Sequence, residues 1–239
     1  MGLLHKGDES YHNMVQKSRS IWSYIATHYI DQFDYFHLGG DDMHVIVENM
    51  RSLLLERETE STNGKGRIFG QLASKRVNNL FIRGGAGYTI DREGLKKLHE
   101  YMPKCARDTI GFWEDNAISN CGHKLNLKFG DNRDTCTGQQ RSHAISPGMI
   151  FRAKGQSESD VDKNIRFFAS QPHPMQPDAK VGMKVGLDAA SNHSVTFHKL
   201  RYQSWMVRHH ALLYRACPLN SMLGKKFYQN QTAGIEGRA

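Results

Sequence analysis

The sequence has no closely spaced cysteine pair and no apolar run long enough to cross a membrane. Its four cysteines, Cys105, Cys121, Cys136 and Cys217, lack the Cys-x-x-Cys spacing, which argues against a zinc ribbon or a thioredoxin-like motif. An even count fits two disulfides in an oxidising compartment, and it fits four buried thiols as well. No stretch approaches the roughly 20 apolar residues of a membrane-spanning helix, and no signal peptide precedes the first predicted helix.

The chain also has no clustered basic segment, although its formal net charge is +8. This charge would permit binding to nucleic acid, to nucleotide phosphates or to an anionic membrane surface. The basic residues are scattered through amphipathic segments, with no basic run that interleaves base-stacking aromatics, so no nucleic-acid partner is predicted. The 239 residues, 38% hydrophobic and 23% charged, are typical of one ordinary globular domain.

Apolar patterning predicts an α/β chain in which helices and strands alternate. Predicted helices cover residues 9–29, 45–55 and 202–216, and predicted strands cover 34–38, 67–72, 80–82 and 194–199. Polar, glycine-containing residues 56–66 predict a surface loop, and residues 73–79 predict a turn. We expect one domain over residues 1–224 and a disordered tail over residues 225–239.

Two adjacent carboxylates, Asp41 and Asp42, follow the aromatic run 33–38 and the pair Gly39 and Gly40. One interpretation is a buried strand that delivers both carboxylates to its exposed end, where their repulsion favours a bound cation. The glycines would permit a tight exit from the strand. The alternative is a turn before an acidic helix start, where Asp is favoured in any case. The residues themselves leave both interpretations open.

Two further segments carry local signals. The glycine-rich run 84–88 leads into a predicted helix at about Asp91, whose side chain would cap that helix. Residues Trp113, Glu114 and Asp115 place an aromatic beside two carboxylates at another predicted helix start. One interpretation has the carboxylates complementing the helix dipole and Trp113 packed in the core. The other interpretation gives Trp113 and the two carboxylates a functional role.

Four motifs in this order resemble the β-1,3-glycosyltransferases of family 31, most closely the core 1 type that acts on glycoprotein N-acetylgalactosamine. They are Tyr-Phe-x-Leu-Gly-Gly-Asp-Asp at residues 35–42, Gly-Gly-Ala-Gly-Tyr at 84–88, Glu-Asp at 114–115 and Val-Thr-Phe-His at 195–198. The resemblance implies a GT-A type nucleotide-sugar transferase fold, with a mixed central sheet flanked by helices. It also implies that the first nucleotide-binding half is missing from this chain.

The resemblance assigns a metal site and a donor site. Asp42 and His198 would bind Mn²⁺, an ion that suits one oxygen and one nitrogen ligand completed by nucleotide phosphates. The donor would be UDP-galactose, and the resemblance places four residues near it: Asp41, Lys17, Gly85 and Gly87.

The resemblance also assigns the acceptor side of the reaction. Asp115 would be the general base, and Trp113, Tyr88 and Glu114 would bind a glycoprotein acceptor that carries N-acetylgalactosamine. Two residues depart from the family pattern, since Gly40 stands where an aspartate is usual and Ser119 where a glycine is usual. These departures keep open an inactive, carbohydrate-binding relative as the alternative.

Compartment and disulfides follow from the same resemblance. It implies a lumenal domain of the Golgi membrane, with a membrane anchor in the full-length protein that this chain does not contain. It also implies a disulfide between Cys105 and Cys121, and we expect a second between Cys136 and Cys217.

Overall fold

The computed structural model describes residues 8, 10–60, 62–74, 80–105, 113–147, 190–200 and 206. The chain divides into two compact units, Met1–Lys199 and Leu200–Ala239, and every element named below belongs to the first unit. In the second unit Met206 is helical. The rest of the predicted helix 202–216, the predicted tail and most of the predicted turn after Ser74 lie outside the described residues.

Four helices and nine strands make up the described part of the first unit. The helices are α1 (Met14–Tyr29), α2 (Val47–Glu58), α3 (Arg92–Cys105) and α4 (Glu114–Lys124). The strands are β1 (Tyr35–Leu38), β2 (His44–Val45), β3 (Arg67–Gly70), β4 (Leu72–Ser74), β5 (Leu80–Ile82), β6 (Tyr88–Asp91), β7 (Lys128–Asp131), β8 (Ser142–His143) and β9 (Thr196–Phe197). Short 3₁₀ turns cover Tyr11–Asn13 and Gly84–Ala86.

The main sheet has the strand order β1-β6-β3-β7. Strand β6 pairs antiparallel with β1 and β3, whereas β7 runs parallel to β3. A second sheet, β2-β9-β8, joins β2 and β9 antiparallel and β8 and β9 parallel. Strands β4 and β5 form an antiparallel pair. The mixed α/β architecture predicted from the sequence is therefore confirmed, while the GT-A type and the missing half remain predictions.

The main core lies between this sheet and helices α1, α3 and α4. Apolar side chains at helical spacing on α3 meet alternating side chains from the strands, which is how each amphipathic element buries its apolar face. Fully buried members of this core are Trp22, Ile68, Ile82, Tyr88, Ile90, Leu95 and Leu98. The helices thereby hold β6 and the glycine-rich turn before it in a fixed position.

Several predicted boundaries were wrong. The first helix begins at Met14 instead of residue 9, and the second runs over Val47–Glu58 because residues 44–45 pair as a strand. The structure also contains strand β6 between the glycine-rich turn and α3, where the sequence predicts no strand. The predicted cap is confirmed, because Oδ1 of Asp91 accepts a hydrogen bond of 2.8 Å from the Gly94 N–H.

The predicted disulfide between Cys105 and Cys121 is confirmed, and it joins the end of α3 to α4. The expected second bridge is wrong at Cys136, whose thiol is free and exposed. Its expected partner Cys217 lies outside the described residues. Within the described ranges, the structure contains no helix long and apolar enough to cross a membrane.

Candidate active site

Asp42 and His198 meet in the structure, as the sequence predicted. The antiparallel pairing of β2 with β9 sets His44 opposite Phe197, so the residues just outside this pair are brought together. His198 Nε2 lies 3.1 Å from Asp42 Oδ1. Both side chains are partly exposed, so a ligand from solvent can reach them.

A backbone contact fixes the imidazole of His198. Its Nδ1 atom lies 2.9 Å from the carbonyl oxygen of Ala144. A carbonyl oxygen can only accept a hydrogen bond, so Nδ1 carries a proton at this contact, and the ring orientation places Nε2 towards Asp42. Donation from the second ring nitrogen to a backbone carbonyl is the usual support of a metal-binding histidine. The pair therefore fits a divalent cation by donor chemistry and by orientation.

Two protein donors do not fill the coordination sphere of such an ion. Among the residues that the structure describes, no group of three or more His, Cys, Asp or Glu side chains is arranged to hold a metal. Diphosphate oxygens and water would have to supply the remaining ligands. Asp41 is exposed beside Asp42 in the turn before β2, so the alternative of an acidic helix start is wrong.

The glycine-rich turn packs directly against this pair. A Cβ atom at Gly85 would lie 2.8 Å from Nδ1 and Cε1 of His198, a separation that real Cβ contacts do not show. Thr196 donates a hydrogen bond of 2.6 Å to the carbonyl oxygen of Ala86, which ties the turn to β9. Only a residue without a side chain at position 85 permits this approach.

The same turn contacts the two carboxylates at the start of α4. The Gly84 N–H donates a 3.0 Å hydrogen bond to Asp115 Oδ2. A Cβ atom at Gly84 would lie 2.7 Å from Glu114 Oε2 and 3.1 Å from the Cβ of Asp115. Adjacent glycines thus lie between the Asp42–His198 pair on one side and the Glu114–Asp115 pair on the other.

Asp115 is held by the backbone while keeping acceptor capacity. Its Oδ1 accepts a hydrogen bond of 2.7 Å from the Asn116 N–H. Its Oδ2 accepts the hydrogen bond from the Gly84 N–H. Each carboxylate oxygen has a further lone pair available for a substrate hydroxyl. Burial lowers the pKa of Arg83 to about 10, although the nearby Asp115 carboxylate raises it. Asp115 is therefore oriented, and a positive charge lies near it.

Glu114 differs from Asp115 in its surroundings. Burial raises the pKa of Glu114 from 4.5 to about 7, the hydrogen bond with Tyr88 opposes this shift, and the Asp115 charge adds to it. The Tyr88 hydroxyl also accepts a 3.1 Å hydrogen bond from Trp22 Nε1. A carboxyl group with a raised pKa can hold a proton close to neutral pH, which is a property of acid–base groups at reaction centres.

The remaining predicted residues are distributed around this centre. Gly87 has a φ of +70°, and a Cβ atom there would lie 2.7 Å from His37 Nε2. Lys17 lies half-buried on α1, and its role at the donor stays a prediction. Trp113 is 57% exposed just before α4, so its packing in the core is wrong and its stacking on a sugar stays a prediction.

Ser119 is a site residue whose role the sequence did not reveal. Its side chain is buried, with 1% exposed. The hydroxyl donates a hydrogen bond of 2.6 Å to the Asp115 carbonyl oxygen and accepts one of 3.0 Å from the Ile82 N–H. Its hydroxyl therefore joins the end of β5 to the first turn of α4. The departure from glycine at this position adds a contact that fixes the approach of the glycine-rich turn to Asp115.

Comparison with known proteins agrees with these motifs. No model of a known protein family matches the chain. A segment of 127 residues is 28% identical to glycoprotein-N-acetylgalactosamine 3-beta-galactosyltransferase 1 of Xenopus laevis, and covers 53% of this chain and 34% of that protein. A segment of 121 residues is 26% identical to chondroitin sulfate synthase 3 of Homo sapiens, and covers 48% of this chain and 14% of that protein. The Mus musculus chondroitin sulfate synthase 3 matches to the same extent.

These matches span about a third or less of the length of the curated relatives. Both kinds of relative carry the name of a sugar-transferring enzyme. Over about half of its length the chain is therefore similar to a β-1,3-galactosyltransferase and to chondroitin sulfate synthases, in agreement with the resemblance of its four ordered motifs to the β-1,3-glycosyltransferases of family 31.

Proposed function

We propose that this protein transfers galactose from UDP-galactose to the 3-hydroxyl of N-acetylgalactosamine on a glycoprotein, with inversion to a β-1,3 linkage and dependence on Mn²⁺. The observation that carries the proposal is the double contact of the glycine-rich turn. Gly85 lies against His198, and Gly84 lies against Asp115. The proposed metal-binding pair and the proposed general base therefore lie on either side of the same short backbone segment.

Asp42 and His198 would hold the cation, through one carboxylate oxygen and Nε2 respectively. A bound divalent cation supplies positive charge that neutralises the diphosphate as it leaves. The Ala144 carbonyl keeps His198 in the tautomer that this role needs. Asp41, Lys17 and Gly87 are proposed contacts of the donor, on the strength of the sequence resemblance.

Asp115 would perform the proton transfer. As the acceptor oxygen forms its bond to the anomeric carbon, Asp115 takes the hydroxyl proton, and UDP departs with the electron pair of the broken bond. The hydrogen bonds from Gly84 and Asn116 orient the carboxylate for this step. Exposed Trp113 would stack on the apolar face of the acceptor sugar, as aromatic rings do at sugar sites.

The test is turnover of UDP-galactose with benzyl N-acetyl-α-galactosaminide in the presence of Mn²⁺. We expect a disaccharide product whose new linkage is β-1,3 by NMR, and loss of the product on addition of EDTA. Asp115→Asn should lower the rate of product formation strongly and retain metal-dependent donor binding. If the unaltered chain binds the donor and the acceptor without product, the proposal of catalysis is wrong.

That last outcome would favour the alternative function, an inactive carbohydrate-binding relative. The specific observation behind this alternative is Gly40, which stands at the first position of the aspartate motif. Compartment and anchorage are part of the same proposal, since Mn²⁺-dependent glycoprotein modification of this type implies a lumenal domain in the Golgi membrane.

A further inference from the structure

His37 and Met43 meet at the glycine-rich turn, and the proposed transfer chemistry uses neither of them. His37 fills the open position of the motif at residues 35–42, and Met43 follows directly after that motif. The resemblance to family 31 therefore assigns no role to either side chain. Both residues are partly buried, so their contacts decide what they can bind.

The imidazole of His37 has one supported nitrogen and one nitrogen without a partner. Its Nδ1 atom lies 2.9 Å from the hydroxyl oxygen of Thr89, which can accept a hydrogen bond from Nδ1 and leave the lone pair on Nε2. The Nε2 atom is buried and has no hydrogen-bond partner among the described residues. Burial lowers the pKa of His37 to about 4, so the ring is neutral near pH 7. A buried polar atom without a partner costs free energy, and a bound ligand would remove that cost.

The thioether of Met43 lies beside this nitrogen. A Cβ atom at Gly87 would lie 2.7 Å from His37 Nε2 and 2.9 Å from Met43 Sδ, so the nitrogen and the sulfur border one small space next to the Gly87 backbone. A Cβ atom at Gly39 would lie 1.6 Å from the methyl carbon of Met43 and 2.9 Å from its sulfur. The methionine therefore folds back across Gly39, which only a residue without a side chain permits.

One imidazole nitrogen and one thioether sulfur form a donor set of a definite chemical class. Thioether sulfur is soft and polarizable and selects Cu⁺, and imidazole also suits copper. The contact of the second ring nitrogen with the Thr89 hydroxyl is the kind of support that metal-binding histidines have. The Asp42–His198 pair differs in this respect, because a carboxylate oxygen suits harder divalent ions such as Mn²⁺.

We propose that His37 Nε2 and Met43 Sδ bind a Cu⁺ ion beside the glycine-rich turn. Cu⁺ is a d¹⁰ ion that accepts a pair of ligands on opposite sides, so the two donor atoms can hold it between them. Met43 is adjacent to Asp42, so copper at this site would fix the turn that carries the proposed Mn²⁺ ligand. The site needs neither Mn²⁺ nor a sugar, and it does not depend on the proposed function.

NMR of the methionine methyl groups observes the site directly. The ten methionines are labelled with ¹³C at their methyl carbons, and the volume-conserving change Met43→Leu identifies the Met43 signal by its loss. Cys136→Ser is included throughout, because this exposed free thiol would compete for the ion. Ag⁺ is the redox-stable probe, and Cu⁺ is added under anaerobic conditions with ascorbate. We expect both ions to shift the Met43 signal until the site is saturated, and Mg²⁺ to leave it unchanged.

Two variants that keep Met43 test the geometry of the site. His37→Phe retains an aromatic ring and removes the nitrogen, whereas Gly39→Ala retains both donor atoms and forces the thioether to move. Each should weaken Ag⁺ binding, followed at the Met43 signal, by about tenfold or more. Gly40→Ala is the matched control, because its Cβ atom would meet Asp42 and no atom of Met43 within 4 Å. This control should retain the Ag⁺ affinity.

A Met43 signal that stays in place at saturating Ag⁺ would overturn the copper site. Unchanged Ag⁺ affinity in either His37→Phe or Gly39→Ala would also overturn it, provided that the variant folds. Such a result would show that the thioether binds the ion without the imidazole or without this geometry. Mn²⁺-dependent binding of UDP-galactose, measured by calorimetry on the same protein, reports separately on the proposed function.

Discussion

His198 Nε2 lies 3.1 Å from Asp42 Oδ1, although Asp42 lies in the turn before β2 and His198 follows β9, far away in the sequence. The pairing of His44 with Phe197 creates this proximity. On the other side of the glycine-rich turn, Gly84 binds Asp115. The two halves of the proposed site therefore depend on one short backbone segment, and this dependence can be tested.

Gly85→Ala should weaken Mn²⁺ binding. The added Cβ would lie 2.8 Å from the ring of His198, so the imidazole must move away from Asp42. We expect at least a tenfold loss of Mn²⁺ affinity, measured by electron paramagnetic resonance of the free ion. Gly64→Ala is the control, because that glycine has a φ of +71° and open space around it. This control should lose stability and retain its metal affinity.

If Gly85→Ala binds Mn²⁺ as well as the unaltered protein does, the close approach of the turn to His198 has no part in metal binding.

Asp115→Asn should lower turnover by a factor of about 10² to 10⁴, which is the usual contribution of a general base. The single amide oxygen can still accept from the Gly84 N–H, while the hydrogen bond from the Asn116 N–H is lost. Donor affinity with Mn²⁺ should change by less than about twofold, since Asp115 lies across the turn from the metal pair. Steady-state kinetics and calorimetry measure the two quantities.

Much of this site was accessible from the sequence, because short motifs fix local chemistry. Asp42, His198 and Asp115 were each assigned through motifs that resemble family 31, and the structure places them around one turn. The exact role of Ser119 was hidden because a hydroxyl in a helix has no sequence signature of its own. Its hydroxyl accepts a hydrogen bond from the N–H of Ile82, which lies on strand β5 and is distant in the sequence.

The boundaries of the helices and strands were harder to predict from the sequence. Strand β6 is stabilised by pairing with β1 on one edge and with β3 on the other. Such pairing between residues distant in the sequence cannot be predicted from the local pattern of apolar residues. The alternation at β9 does not separate a buried face from an exposed one. Val195 and Thr196 are both fully buried, because Val195 packs against Met50 and Leu53 of α2 while Thr196 donates a hydrogen bond to the carbonyl oxygen of Ala86.

Glu114 should make stability depend on pH. Its pKa is about 7 in the folded chain against an ordinary value of 4.5, so the unfolded chain releases this proton first. Its contribution to stability is therefore greatest below about pH 4.5 and is lost as the pH rises through 7. The change is on the order of 1 to 3 kcal/mol. Glu114→Gln should remove it.

His37 and His143 have the opposite effect on the pH dependence of stability, because burial lowers the pKa of each to about 4. Their contribution to the free energy of unfolding is lost as the pH falls from 6.5 through 4. The difference in urea midpoint between the unaltered protein and Glu114→Gln, followed from pH 4.5 to 8, isolates the carboxyl. A difference that stays constant over this range would contradict the buried state of Glu114.

Loss of the disulfide should destabilise the helical layer. Cys105 and Cys121 are separated by 16 residues, and closing a loop of this size contributes about 3 kcal/mol. The double variant Cys105→Ser and Cys121→Ser should therefore unfold at a clearly lower urea concentration. Cys136→Ser alters an exposed free thiol and should leave the midpoint unchanged. Equal midpoints for both variants would argue against a structural bridge.

Calorimetric titration of UDP-galactose into the 239-residue chain, with and without Mn²⁺, tests the central claim most directly. We expect binding that requires Mn²⁺ and that is lost in Asp42→Asn and in His198→Gln. Binding of the same strength without metal, or binding that survives both substitutions, would contradict the assignment of Asp42 and His198 as the metal pair.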